Sequence, residues 1–222
     1  MNVTLKAPWL VFDLGAPHRV ISWAVANPGL TDANRILWRE VRNADLPEGF
    51  DATAWLAREL AARGESDAVA MLTSRSLVAY RTASVTVDGI RADCVVTAGL
   101  SNAERIGTRL PPADVDSGAG WGTINIGLRL SCGLDDAALI EAVSIGAEAR
   151  TVAIMETGPM LATGQATGTG TDCIAIAAPA GTGRHVGLHT AAGEALGRAT
   201  HDAVRAATLT WMEAAGRHQR MP

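Results

Sequence analysis

The sequence predicts an α+β fold: one mixed or antiparallel sheet that contains a β-hairpin, with long helices packed on it. Three observations predict this class. Residues 81–98 alternate apolar and polar side chains around Asp88-Gly89, a pair typical of tight hairpin turns. Two long helical patterns cover 135–158 and about 190–215. Short apolar runs between them predict further strands. Because hairpins and isolated helices alternate along the chain, a mixed α/β sheet is the alternative.

The first elements after the N-terminal region are a helix and a strand. Residues 49–64 predict a helix, with Asp51 as its N-cap and Gly64 as its stop. The stretch "DAVAMLTS" that follows is apolar, short and closed by a turn, which predicts a buried strand.

Another predicted strand follows a loop rich in proline and aspartate. Its side chains alternate, so that one face is apolar and the other largely polar. The apolar face carries Ile124, Ile126, Leu128 and Leu130. The opposite face carries Thr123, Asn125 and Arg129.

The C-terminal half predicts helix, strand and helix. The long helix begins at an acidic cap and ends at Gly158, and "DCIAIAAPA" after it predicts a strand. The last helix runs from about Thr190 to Ala215 with an alanine-rich apolar stripe. Gly193 and Gly197 each cost about 1 kcal/mol inside a helix, which predicts a backbone or a flat ligand packed closely on that face.

Composition limits the function classes. The 222 residues fit one domain covering 1–222, with 48% hydrophobic and 19% charged residues. A net charge of −4 argues against nucleic acid or an anionic membrane as the partner. No apolar run approaches the ~18 residues of a membrane span, and the N-terminus does not resemble a signal peptide. The three cysteines have no C-x-x-C spacing, which predicts reduced thiols and a cytoplasmic protein.

The stretch "ATGTGTD", Ala166–Asp172, is the most distinctive motif. It is not a P-loop, because no lysine follows Gly170, and it is not a dinucleotide-binding turn, because it precedes a strand. Its glycines permit close backbone approach, and exposed N–H groups there could hold an oxyanion beside Asp172. The alternative is a plain connection in which Asp172 caps a turn.

Several polar side chains outside this motif have two interpretations. His185 and His189 could form a metal pair, but no third ligand is adjacent, and His189 as an acid or base at a helix start is favoured. Glu194 is placed to form an ordinary helix ion pair with Arg198. Glu148 lies on a polar stripe that is either solvated or part of a pocket wall.

Two loops offer further contacts. Ser101 and Asn102 follow a strand and either cap the next turn or bind a ligand. Trp121 stands between two glycines and is the tryptophan best suited to stack on a flat ligand.

The order of these stretches resembles the adenosylcobinamide amidohydrolase family. The segments that carry the resemblance are "LTSRSL", "VTAGLSNAERIG", "GTINIGLRL", "AEARTVAIMETG", "ATGTGTDCIAIA" and "HTAAGEALGRA". They extend from about Val20 to the C-terminal helix, and the last two are the most specific.

The resemblance implies an enzyme that hydrolyses the amide joining aminopropanol to a propionate arm of the corrin ring. The products would be adenosylcobyric acid and 1-aminopropan-2-ol, in corrinoid salvage. The substrate would be a small-molecule corrinoid, whose cobalt belongs to the substrate, and the protein itself would need no cofactor. The resemblance does not fix the oligomeric state, and a homo-oligomer is one of the alternatives.

Amide hydrolysis needs an attacking group, an oxyanion site and an acid for the leaving amine. The first hypothesis is attack by water, with Asp172 or Glu148 as general base and His189 as acid. The turn at 168–170, with Asn102 or Asn125, would hold the oxyanion. The residues predicted to bind the substrate are Ser101, Asn102, Trp121, Thr123, Asn125, Gly168, Thr169, Gly170, Thr171 and Glu194.

Other mechanisms and functions stay open at this point. Thr123 or Thr171 could act as a covalent nucleophile in place of water. A non-catalytic corrinoid-binding carrier or regulator is the alternative function, and hydrolysis of another amide or lactam is a third.

Overall fold

The structure is a computed structural model, and it describes residues 1–42, 45–47, 49–109 and 122–218. Within these residues the chain forms three α-helices and a mixed sheet of eight strands. The predicted α+β class is therefore confirmed.

The main sheet accounts for most of the strands. Its members are β1 (Asn2–Lys6), β2 (Trp9–Ser22), β3 (Gly29–Glu40), β4 (Val69–Thr73), β5 (Arg81–Val87), β6 (Ile90–Ala98), β8 (Ile124–Leu130) and β12 (Cys173–Ala178). Two small ribbons pair β7 (Ala103–Glu104) with β11 (Gly168–Thr169), and β9 (Met160–Leu161) with β10 (Gly164–Gln165).

The helices are α1 (Ala52–Ala62), α2 (Asp136–Thr157) and α3 (Ala191–His218). None of these helices, within the described residues, is long and apolar enough to cross a membrane.

The order of strands across the sheet is β4-β3-β2-β12-β8-β6-β5, and β1 pairs with β2. Neighbours are antiparallel except for β3 with β4 and β8 with β12. Because β8 and β12 are parallel, the loops that precede them meet at one edge of the sheet. That edge brings Thr123 next to Thr171 and Asp172.

The local signals for turns and caps are confirmed. Asp51 accepts a hydrogen bond from the Ala54 N–H at 2.8 Å, and α2 ends at Gly158 with φ of 81°. The hairpin turns at Asp88 and Gly89, whose φ angles are 46° and 79°. These left-handed backbone angles match a type I′ turn, which explains why the sequence places glycine there.

Helices cover one face of the sheet. The apolar side chains of β8, such as Ile126, pack with α2 and α3 as predicted. Leu56 and Leu60 of α1 pack at the other end of the same face, against Leu37 of β3.

The opposite face of the sheet curls onto itself. The Asn125 side chain of β8 donates to the Leu72 carbonyl oxygen of β4 at 2.6 Å, and Trp38 of β3 covers Gly127 of β8. β8 and β4 lie four strands apart, which is roughly 19 Å in a flat sheet. An asparagine side chain cannot span that distance, so the sheet is strongly curved. The polar face predicted for β8 is therefore a second buried interior.

Gly193 allows a backbone contact rather than a ligand contact. A Cβ atom at this position would collide with the carbonyl oxygens of Val186 and Gly187. The loop before α3 therefore lies directly on the helix, and the close packing predicted from this glycine is confirmed. Gly197 has only ordinary contact with Ile145.

The two buried cysteine thiols should be unreactive in the native protein. Cys94 and Cys173 are buried, and burial raises the pKa of Cys173 to about 12 and raises the pKa of Cys94 as well. At pH 8 about 10⁻⁴ of Cys173 would be thiolate, so alkylation by iodoacetamide should be about 1,000-fold slower than for an ordinary thiol. Peptide mass spectrometry after native labelling should find modification only at the half-buried Cys132. Rapid labelling of Cys94 or Cys173 would contradict the buried placement.

Candidate active site

A cavity of about 370 Å³ opens at the sheet edge where β4 ends and β8 begins. Its apolar wall is formed by Val25, Val41, Leu46 and Leu72. Hydroxyl groups come from Thr73, Ser74, Thr123 and Thr171. The described lining contains neither a carboxylate nor an imidazole. The lining does include a cation, Arg42, which forms an ion pair with Asp45. The cavity therefore offers hydroxyl, backbone and guanidinium groups beside an apolar wall.

Thr123 is held rigidly at the wall of this cavity. It is 8% exposed, and its hydroxyl lies 2.8 Å from the Thr171 carbonyl oxygen and 3.2 Å from Asn125 Oδ1. The Asn125 amide is itself fixed by its bond to β4. The Thr171 hydroxyl donates to the Gly122 carbonyl oxygen at 2.9 Å. These bonds link the loops before β8 and β12.

The loop at 99–102 packs on the same point. A Cβ atom at Gly122 would lie 2.6 Å from the Ser101 nitrogen and 2.8 Å from Asn102 Oδ1. Asn102 Nδ2 donates to the Thr171 hydroxyl at 3.4 Å, while its Oδ1 is buried with no partner in the described part of the chain. The structure thus places Ser101 and Asn102 beside Thr123 and Thr171 of the cavity.

Asp172 ties these loops to α2. Its Oδ1 accepts from the Ile124 N–H at 3.2 Å and from the Thr169 hydroxyl. Its Oδ2 accepts from the Thr169 N–H at 3.0 Å and forms an ion pair with Arg150. A carboxylate has about four lone-pair sites, so its acceptor capacity is filled.

The environment of Asp172 affects its ionisation in two directions. Burial raises the pKa of the Asp172 carboxyl, and the Arg150 guanidinium together with the donors of Thr169 and Ile124 opposes that shift. The side chain is 8% exposed and is absent from the cavity lining. Asp172 therefore fixes the positions of Ile124, Thr169 and Arg150 through its hydrogen bonds and its ion pair.

The two glycines of the motif differ in a testable way. A Cβ atom at Gly168 would lie 2.6 Å from Asp172 Oδ2 and 2.8 Å from Arg150 Nη1, whereas Gly170 has open space. We expect Gly168→Ala to lower the free energy of unfolding by about 2 kcal/mol, because the added methyl group separates the ion pair. Gly170→Ala should change it by no more than ~0.5 kcal/mol. Urea denaturation of both variants tests this pair, and equal effects would contradict the placement.

Glu148 and Glu194 lie in a different groove. This groove, of about 360 Å³, runs between α2 and α3 and also contains His201. Glu148 and Arg150 are two residues apart on α2, so they point to nearly opposite sides of the helix. Because Arg150 contacts Asp172, Glu148 faces away from the Asp172 cluster.

His189 is exposed just before α3, and within the described residues no hydrogen bond joins it to Asp172 or to the cavity. No group of three His, Cys, Asp or Glu side chains in the described ranges is arranged to hold a metal ion. Trp121 lies outside the described residues.

The structure therefore brings together one part of the predicted site. The residues that meet at the sheet edge are Ser101, Asn102, Thr123, Asn125, Gly168, Thr169, Gly170, Thr171 and Asp172. Sequence reasoning gave no role to Arg150 or Thr73. Arg150 had one usable signal, since a charged residue on an apolar helix requires a partner when it faces inward.

The fold and the cavity define a class of protein. It is an α+β protein with a small cavity lined by hydroxyl groups at the edge of a curved sheet, and its glycine-rich turn holds a carboxylate rather than a phosphate. The chain belongs to the adenosylcobinamide amidohydrolase family (CbiZ), whose model matches residues 1–216 of the 222. It is therefore a hydrolase that acts on amides.

Two solved structures resemble the chain over most of its length. A beta-aminopeptidase from Burkholderia sp. has 16% identity and a TM-score of 0.44, with 92% of this chain and 78% of that chain covered. The PH0078 protein from Pyrococcus horikoshii OT3 has 11% identity and a TM-score of 0.45, with 96% and 79% covered. Because both scores are below 0.5, neither likeness bears on the activity. A comparison with curated proteins finds no match.

Proposed function

We propose that the protein hydrolyses adenosylcobinamide to adenosylcobyric acid and 1-aminopropan-2-ol. Water adds across the amide bond between the propionate arm of the corrin ring and the aminopropanol. Cobyric acid could then re-enter assembly of the nucleotide loop, which is the salvage role. Membership of the family supports the substrate class.

The observation that carries the proposal is the cavity that holds Thr123. At about 370 Å³ it lies at the small end of the ~300–1,000 Å³ typical of ligand pockets. It can take one amide arm of a corrinoid but not the macrocycle. Apolar walls suit the methylene groups of the arm, and the hydroxyl groups suit its amide and its terminal alcohol.

Thr123 is the attacking group in this proposal. Thr123 lines the cavity, whereas every acceptor site of the Asp172 carboxylate is occupied, so Asp172 has no lone pair left to take a proton from water. The Thr123 oxygen would attack the amide carbonyl carbon, and the hydroxyl proton would end on the departing amine. Water would then hydrolyse the ester and restore the hydroxyl.

Asp172 acts as a positioning residue in this scheme. It holds the Ile124 N–H, next in the chain to Thr123, and fixes the turn at 168–170 through Thr169. Glu148 and His189 have no part in the chemistry of this scheme, because neither lines the cavity.

The test is incubation of purified protein with adenosylcobinamide in H₂¹⁸O, followed by mass spectrometry. We expect cobyric acid that carries one ¹⁸O in the new carboxylate, together with unlabelled 1-aminopropan-2-ol. Unchanged cobinamide that co-elutes with the protein would favour a corrinoid-binding protein instead. Turnover of a small amide but not of cobinamide would indicate a different substrate.

A further inference from the structure

Trp23 is an unusually open tryptophan for this fold. It follows β2 directly and is 50% exposed, whereas the other tryptophans among the described residues are buried or half-buried. Its indole N–H donates to the Asp172 carbonyl oxygen at 2.6 Å. The ring is therefore held in one orientation while one half of its surface stays free.

This ring stands beside the cavity. Asp172, which accepts the indole N–H, directly follows Thr171 of the cavity wall. Val25, two residues after Trp23, forms part of the apolar wall. Both neighbours place Trp23 at the rim on the side of the motif that carries Asp172.

A flat substrate that enters by one arm must leave its ring system outside. The cavity admits an amide arm, so the conjugated macrocycle has to lie against the rim. A fixed indole with an open face is the side chain best suited to cover such a surface, because tryptophan buries a large area with little loss of conformational freedom.

We infer that Trp23 is the stacking platform for the corrin macrocycle while the aminopropanol arm occupies the cavity. The inference rests on the proposed function. It names the ligand surface, a flat conjugated ring, that this rim recognises. It also assigns to Trp23 the stacking role that the sequence alone favoured for Trp121.

The experiment compares three variants by steady-state kinetics with adenosylcobinamide and by equilibrium dialysis with dicyanocobinamide. Trp23→Gln keeps a side-chain N–H for the Asp172 carbonyl but has no ring, and Trp23→Phe keeps a ring but has no N–H. Ile140→Ala removes apolar surface from the exposed side of α2 and is the control. Circular dichroism melts confirm that each variant is folded.

The expected result separates ring from hydrogen bond. Trp23→Gln should raise KM and the dicyanocobinamide Kd about 10-fold or more, with kcat within about 2-fold. Trp23→Phe should stay within about 3-fold of the native protein, and Ile140→Ala should match it. Unchanged binding in Trp23→Gln, or equal losses in the Gln and Phe variants, would overturn the inference. If Trp23→Gln raised KM for adenosylcobinamide but left the dicyanocobinamide Kd unchanged, the indole ring would contact the adenine group instead of the corrin ring. That result would also overturn the inference.

Equilibrium dialysis distinguishes failure of the Trp23 inference from failure of the proposed hydrolysis. If the native protein binds dicyanocobinamide through Trp23 but never releases aminopropanol, the platform stands and the proposed hydrolysis fails. If the protein hydrolyses adenosylcobinamide with no dependence on Trp23, the proposed hydrolysis stands and the platform fails.

Discussion

Replacing Asp172 by asparagine should lower the free energy of unfolding by about 3 kcal/mol and the hydrolysis rate at least 100-fold. An asparagine amide keeps one oxygen, and with its N–H₂ group at the Oδ2 position it presents a donor to Arg150 and to the Thr169 N–H, which have both lost their acceptor. The Arg150 guanidinium, 18% exposed, keeps its charge without a partner. Breaking a buried pair from one side typically costs about 3–5 kcal/mol. For a chain of this length the melting temperature should fall by about 10 °C.

The matched control is Asp93→Asn. Asp93 is 1% exposed and pairs with Arg129 and Arg91, so its replacement should cost comparable stability. Arg129 lies four residues along β8 from Asn125, roughly 13 Å from the cavity end of the strand. We expect the Asp93 variant to keep normal kcat below its melting temperature. A stable Asp172→Asn protein, or a fully active one, would contradict the positioning role.

Replacing Thr123 by alanine should abolish hydrolysis, with kcat at least 1,000-fold lower. The substitution removes the attacking oxygen but leaves the apolar wall of the cavity in place, so corrinoid binding by dialysis should change by less than about 3-fold. Thr123→Ser retains a hydroxyl and should keep measurable turnover. Intact-protein mass spectrometry of a quenched reaction should find a corrinoid ester on the native chain and none on the alanine variant.

Thr200→Ala serves as the control for loss of a buried hydroxyl. Thr200 is fully buried in α3 and donates to the Leu196 carbonyl oxygen at 2.7 Å. Both alanine variants should lose about 1 kcal/mol of stability, but only the Thr123 variant should lose activity. Substantial turnover by Thr123→Ala would return the mechanism to attack by water.

Much of the fold follows from local signals in the sequence. The helices at 52–62 and 136–157 begin at aspartate caps, and the hairpin turns at Asp88 and Gly89, as predicted. Each of these features is decided by a few neighbouring residues, so the sequence alone is sufficient.

The first three strands were not predicted. In β2 the residues from Trp9 to Phe12 are nearly all buried, because helix α1 covers one side and the curled interior covers the other. A strand buried on both sides has no alternation of apolar and polar residues. β1 and β3, which pair with β2, are its neighbours in the chain, but its third partner β12 lies near the other end of the chain, and no local pattern reveals that pairing.

For the site, too, the sequence predicted some residues that the structure brings together and others that lie elsewhere. The motif at 166–172 and the residues near Thr123 come together because β8 and β12 are parallel neighbours. Glu148 was placed with them only because it lies in a family-like stretch. Its actual direction depends on which side of α2 packs on the sheet, and α2 is apolar on so many sides that the sequence does not decide this.

The bond from Asn125 to the Leu72 carbonyl oxygen has a consequence for the order of folding. It joins strands 53 residues apart in the chain that are not sheet neighbours, so it forms only after the intervening strands have assembled. Contacts of high sequence separation form slowly, because the loop between them must first be closed. The hairpin and the helices can form early, but the part of the cavity lined by Leu72 and Thr123 can form only late. Enzymatic activity during refolding should therefore recover after helical circular dichroism does.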